Sequence, residues 1–132
     1  MDLNQVTLPV TDFDAAFEFY VTIGLKPIVS AEKRYARFEL PSGGSTLSLH
    51  HVDAVSAGGV TIYFECDDID ARYETLRAKG VVFDSPPTDQ RWRWREARLR
   101  DPSGNTLCLY HAGLDRRFPP WRIEPEADKL KG

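Results

Sequence analysis

Gln5-Val6-Thr7-Leu8-Pro9-Val10-Thr11-Asp12-Phe13-Asp14-Ala15 is written a second time, in altered spelling, as Thr61-Ile62-Tyr63-Phe64-Glu65-Cys66-Asp67-Asp68-Ile69-Asp70-Ala71. Asp12, Asp14 and Ala15 coincide with Asp68, Asp70 and Ala71, Val6 and Leu8 with the apolar Ile62 and Phe64, and Gly24 with Gly80 at the same offset. Each copy reads as a strand, then a helix, then a glycine stop. A second match closes each half: Gly44-Ser45-Thr46-Leu47-Ser48-Leu49-His50-His51 against Gly104-Asn105-Thr106-Leu107-Cys108-Leu109-Tyr110-His111. One module is repeated once, and the repeat governs the reading of the whole chain.

Working outward from the first copy, Val6, Leu8 and Val10 alternate with polar neighbours and predict a strand over about 3–10. Thr11 with Asp14 resembles a capping box, and Phe13, Ala16, Phe17 and Tyr20 fall on one helical face. Asp12 and Asp68 read as helix-start residues rather than catalytic carboxylates. Three strands are expected next, near 26–30, 34–40 and 45–51, with Ala36, Phe38 and Leu40 on one side of the middle one. Residues 52–59 link the halves. In the second copy, 67–79 is helical with Ile69, Tyr73 and Leu76 buried, a short strand lies near 81–83, and 85–89 is a loop. Arg91–Arg100 alternates as a strand with Ala97 and Leu99 on its apolar side, and Thr106–His111 is the last strand. The segment 112–132 is expected to be an extended arm lying on the domain or on a partner chain, with a mobile end from Glu124 to Gly132.

A chain of 132 residues has room for one compact domain or two small modules sharing a core. No apolar run approaches the roughly 20 residues of a bilayer span, and Met1-Asp2-Leu3-Asn4 lacks the pattern of a secretory signal, so the expected location is cytoplasmic, with no membrane partner. Cys66 and Cys108 form no close pair, which argues against a disulfide framework or a cysteine-rich zinc site. A net charge of −3 and a strand-like setting for the arginines of 91–100 argue against nucleic acid as a partner.

The duplicated order of strand, helix and three strands, with x-V-x-L-x-V-x-D opening the first copy and Asp101-Pro102-Ser103-Gly104-Asn105 before the last strand, resembles the vicinal oxygen chelate superfamily. That superfamily includes glyoxalase I, bleomycin-resistance proteins, fosfomycin-resistance enzymes and ring-cleaving dioxygenases. The resemblance runs from about Leu3 to His111 and implies an α+β fold. It consists of two tandem βαβββ modules, 3–52 and 59–111, forming a cup-shaped mixed sheet with the helices on the outer face. It also implies a homodimer in which a second chain often completes the cavity.

With the apolar faces turned to the helices, the opposite faces collect Gln5, Thr7, Ser48, His50, Thr61, Tyr63, Glu65, Trp92, Trp94, Glu96, Arg98, Cys108 and Tyr110, a mixture suited to a lined pocket. The positions at which metal-dependent relatives carry ligands are Gln5, Ser48, Thr61 and Cys108. Neutral hydroxyls are poor ligands for Zn²⁺ or Fe²⁺, so the family metal centre is expected to be absent. A shifted divalent site (Zn, Ni, Mn or Fe) on His50, Glu96 and Glu65 is the alternative. His50 and Glu96 are the candidates for proton exchange, each weighed against a structural role: a cross-sheet hydrogen bond and an arginine ion pair respectively. Trp92 and Trp94, two apart, offer indole faces to a planar ligand, and Arg98 an anion contact; a subunit interface would use them equally well. Cys108 reads as a pocket thiol or a buried filler. Two functions follow. One is a metal-independent protein sequestering a small aromatic or heterocyclic ligand; the other is a divalent-metal lyase, isomerase or dioxygenase acting on vicinal oxygens.

Overall fold

The computed structural model describes residues 1–56 and 58–123. The first module runs β1 (Gln5–Val10), α1 (Phe13–Thr22), β2 (Lys26–Ala31), β3 (Tyr35–Glu39) and β4 (Thr46–His51). The second runs β5 (Thr61–Glu65), α2 (Ile69–Ala78), β6 (Thr88–Asp89), β7 (Arg95–Arg100) and β8 (Thr106–His111). The chain is therefore α+β, built as two four-stranded mixed sheets ordered β1-β4-β3-β2 and β5-β8-β7-β6. In each, the strand before the helix lies parallel to the last strand, Gln5–Val10 against Thr46–His51 and Thr61–Glu65 against Thr106–Tyr110. The remaining neighbours are antiparallel.

Local chemistry explains the helix boundaries. The Asp12 carboxylate accepts from the Ala15 amide at 3.1 Å and Asp68 from Ala71 at 3.0 Å, each cap contributing about 1 kcal/mol. Asp12 is thus the cap, and the Thr11 amide instead donates to Ser103 Oγ. Gly24 and Gly80 end the helices at φ of 114° and 90°, where a side chain would be strained.

The period-two pattern sends Leu8, Val10, Ala36, Phe38, Leu47 and Leu49 of sheet one, and Ala97, Leu99, Leu107 and Leu109 of sheet two, into one continuous core. Phe13, Ala16, Tyr20, Ile69 and Leu76 supply the helical side. The β2 strand forms an edge, exposed throughout and broken by a bulge between Pro27 and Val29.

Module two departs from expectation in three places. Phe83 makes only an isolated bridge to Leu99, not a strand over 81–83. The Asp84 and Ser85 amides both turn to the Arg98 carbonyl, and Pro86 and Pro87 have no N–H to continue a ladder, so pairing resumes at Thr88 inside the expected loop. The strand expected from Arg91 begins at Arg95, because the Arg93 amide closes a turn on the Gln90 carbonyl with φ of 71° at Arg93. After β8 the arm begins as a 3-10 turn, Gly113–Arg116, rather than extended chain. The end from 124 to 132, expected to be mobile, lies outside the described residues.

Among the described residues, every side-chain hydrogen bond between the modules comes from the β7–β8 turn. The buried Asp101 carboxylate takes the Tyr20 hydroxyl at 2.7 Å, Ser103 Oγ takes the Thr11 amide, and Asn105 Nδ2 donates to the Pro9 carbonyl at 2.9 Å. Asp101 also accepts from the Ser103 and Asn105 amides and from Asn105 Nδ2, all at 2.9 Å. The Asp-Pro-Ser-Gly-Asn motif is therefore the polar rivet of the fold, and next to that carboxylate the buried Tyr20 hydroxyl is held far above its ordinary pKa, by burial first and by Asp101 second.

Candidate functional site

The faces turned away from the core differ in kind. On sheet one, Gln5 Nε2 donates to Ser48 Oγ at 2.6 Å and Ser48 Oγ lies 2.7 Å from the Tyr35 hydroxyl. Thr46 Oγ1 donates to Oε1 of the Gln5 side chain. Arg37 Nε donates to the Tyr35 hydroxyl at 2.9 Å. Ser48 is fully buried beneath this polar chain, and its hydrogen bond, aided by Arg37, lowers the Tyr35 pKa against the opposing effect of desolvation. His50 is exposed and pairs in register with Pro9 and Tyr35.

Sheet two carries rings. Trp94 stacks on Tyr110 at 4.7 Å and 28°, and Tyr63 meets both edge-on, at 5.9 and 5.5 Å. Cys108, Tyr110, Ala112 and Trp94 form an apolar cluster separate from the main core. Beside it the Glu96 carboxylate, 3% exposed, accepts Trp92 Nε1 at 2.8 Å on one oxygen and Arg98 Nη2 at 3.1 Å on the other. Arg98 also reaches the Tyr63 hydroxyl at 3.4 Å. Trp92 lies in the turn before β7, not on the strand, yet its indole still bends back to the same group. Trp92 and Tyr63 remain open to solvent, at 37% and 44% exposure.

Cys108 is wholly buried, and burial first, then the charge of Glu96, pushes its thiol from 9.0 up to about 12. A thiol so buried packs as a small apolar filler does. Thr61 sits at the start of β5 opposite Thr106. Glu65 grips the root of the arm, its carboxylate accepting the Ala112 and Gly113 amides at 2.6 and 3.1 Å, with Arg116 at 3.9 Å.

The fold thus brings together Gln5 with Ser48, and Trp92, Glu96, Arg98 and Tyr63 beside Trp94 and Tyr110. His50 and Glu96 stand on different sheets, and the oxygens of Glu96 are already taken by Trp92 and Arg98. Among the described residues no three His, Cys, Asp or Glu side chains gather where they could hold a metal ion. Tyr35 and Arg37 escaped the sequence reading, although alternation from Ala36 and Phe38 assigns both to the polar face. A separate cleft of about 820 Å³ opens between the modules, lined by Leu25, Leu40 and Pro41 and by Arg72 of α2. It reaches Tyr63 and Glu65 but excludes Trp94, Arg98 and Tyr110. No described helix is long and apolar enough to cross a membrane.

Known proteins share this plan. The chain is 32% identical over 126 residues to the uncharacterized protein YraH of Bacillus subtilis (strain 168), covering 83% of this chain and 98% of that one. A solved glyoxalase/bleomycin resistance protein/dioxygenase from Nocardioides is 28% identical with a TM-score of 0.70, covering 85% and 83% of the two chains. Lactoylglutathione lyase from Agrobacterium tumefaciens superposes with a TM-score of 0.71 over 86% and 95%, at 21% identity. The bleomycin resistance determinant encoded on transposon Tn5 gives 0.70 over 84% and 98%, at 22%. At these last identities the likeness is one of fold. The family model matches residues 2–109, so both modules in full register place the chain in the Glyoxalase/Bleomycin resistance protein/Dioxygenase superfamily.

Proposed function

We propose that the protein binds a small aromatic or heterocyclic molecule, without the metal centre of its metal-dependent relatives. The observation that carries this reading is the Tyr63, Trp94 and Tyr110 ring cluster beside the satisfied Glu96–Arg98 pair. Tyr63 is exposed and Trp94 partly so, with Tyr110 buried behind them as backing, next to oriented polar groups. The donor set at the family metal positions does not fit a divalent ion. Gln5 is engaged by Ser48 and Thr46, Ser48 and Thr61 are neutral hydroxyls, and Cys108 is wholly buried in the apolar cluster with Tyr110 and Trp94.

Two copies of the chain complete the cavity in this reading. Its support is that Tyr63, Trp92 and His50 on these faces remain exposed in the single chain, and the side-chain bonds between modules come from the β7–β8 turn instead. Calorimetric titration with a panel of aromatic and heterocyclic compounds, alongside light scattering for oligomeric state, tests it. Binding by the wild-type dimer, weakened about tenfold in Trp94→Ala, is the expected outcome, since loss of one ring contact is worth about 1.4 kcal/mol. Equal affinity of wild type and variant, or no binding by the whole panel, would refute it.

A further inference from the structure

The duplication supplies an internal control for one charge. Arg37 lies opposite Ser48 across β3–β4, and Arg98 lies opposite Cys108 across β7–β8. These are the same position in the two copies. The neighbouring slot on the same face is Tyr35, opposite His50, in one module, and Glu96, opposite Tyr110, in the other. In module two the slot holds a buried carboxylate that neutralises its arginine at 3.1 Å. In module one it holds a neutral phenol, which Arg37 meets through Nε alone.

The carboxylate two residues further along that face, Glu39, is paired with Lys26 at 3.5 Å. The guanidinium of Arg37 thus keeps its Nη groups free of any carboxylate among the described residues. Donor counting adds a second group. Gln5 and Arg37 donate inward to Ser48 and Tyr35, and a single proton fills the 2.7 Å gap between the two hydroxyls. One O–H is left over, and since Ser48 is fully buried while Tyr35 is half-buried, the spare donor is that of Tyr35. The face presents donors without an acceptor, the chemistry of an anion site.

We infer that Arg37 and Tyr35 form a carboxylate subsite, where the ligand supplies to Arg37 the charge that Glu96 supplies to Arg98. The inference rests on the reading that module two's rings hold the aromatic part of the same ligand, and it narrows that ligand to an aromatic carboxylate.

A matched pair of probes, 2-naphthoate and the neutral 2-naphthamide, separates the two statements by calorimetry. Wild type is expected to prefer the carboxylate about tenfold, as for one charge-assisted contact. Arg37→Gln should erase the preference, and so should Tyr35→Glu, which installs module two's internal counter-ion. Trp94→Ala should weaken both probes together and leave their ratio intact. Unchanged melting of each variant shows that it is folded. Equal affinity for both probes in wild type, or a preference that survives Arg37→Gln, overturns the subsite while leaving the aromatic reading standing.

If neither probe binds, the aromatic reading falls, and the subsite is read with acetate, which has no ring. The Nε–H resonance that disappears in Arg37→Gln should then shift on adding acetate in the wild-type protein, and no shift overturns the subsite as well.

Discussion

The two sheets agree closely on the side that faces the helices and part on the other. Toward the core, Ala36, Phe38, Leu47 and Leu49 of one correspond to Ala97, Leu99, Leu107 and Leu109 of the other. On the far side Gln5, Tyr35, Ser48 and His50 correspond to Thr61, Glu96, Cys108 and Tyr110. Core positions must be filled at near-crystalline density without polar groups, so each copy keeps apolar residues there. The face turned away from the helices has diverged instead into a hydrogen-bonded polar surface in one module and an aromatic one in the other. The apolar faces that the copies share build the core; the opposite faces, which they do not share, mark where function is sought.

The largest test of this asymmetry lies in the turns. Asp101→Ala strips four donors of their buried acceptor and is expected to cost about 3 kcal/mol or more, read by denaturant unfolding. In the sister turn, Ser45→Ala alters an exposed residue and should stay within about 0.5 kcal/mol. Equal effects would erase the distinction between the turns. Tyr20→Phe removes only one of the four donors, and about 2 kcal/mol is expected in the same assay.

At the root of the arm, Glu65→Ala deprives the Ala112 and Gly113 amides of their acceptor. About 1.5 kcal/mol of local stability should go, seen as faster hydrogen exchange at these two residues while β4 is unchanged.

The effect that is smallest at neutral pH is at Cys108, whose counterpart is Ser48. Its pKa rises from 9.0 in the unfolded chain to about 12 in the fold, so above pH 9 the unfolded state sheds a proton that the native state keeps. Stability from this group is complete below pH 9 and is lost as pH climbs toward 12. Cys108→Ser should flatten that alkaline decline, whereas Ser48→Ala should leave its slope unaltered. The Cys108 thiol should also resist iodoacetamide at pH 8 in the folded protein.

The repeat made much of the fold legible, because a period-two strand pattern and an aspartate cap act locally. Asp12 and Asp68 cap as their spacing implies, and Phe13, Ala16 and Tyr20 turn inward as the helical period requires. The errors fell where turns and prolines override the alternating or apolar pattern. Arg91 to Trp94 alternates like a strand, yet Gln90 and Arg93 close a turn there. Val81 to Phe83 is apolar like a strand, yet the following prolines and a shared carbonyl acceptor break the ladder. At the site, Trp94, Glu96 and Arg98 could be placed on one face by parity. That Glu96 is already satisfied by Trp92, and that Tyr35 links Arg37 to Ser48, depends on side-chain reach across strands, which spacing does not encode.

The β2 edge has a consequence for association. A six-residue strand with one rim unpaired is a template on which a further strand can crystallise, and its Ile28 and Val29 are exposed. Here the rim is spoiled three times over: Lys26 brings a charge, Pro27 lacks an N–H, and the bulge before Val29 twists the remaining groups out of line. At this margin sheet one therefore resists runaway edge-to-edge growth.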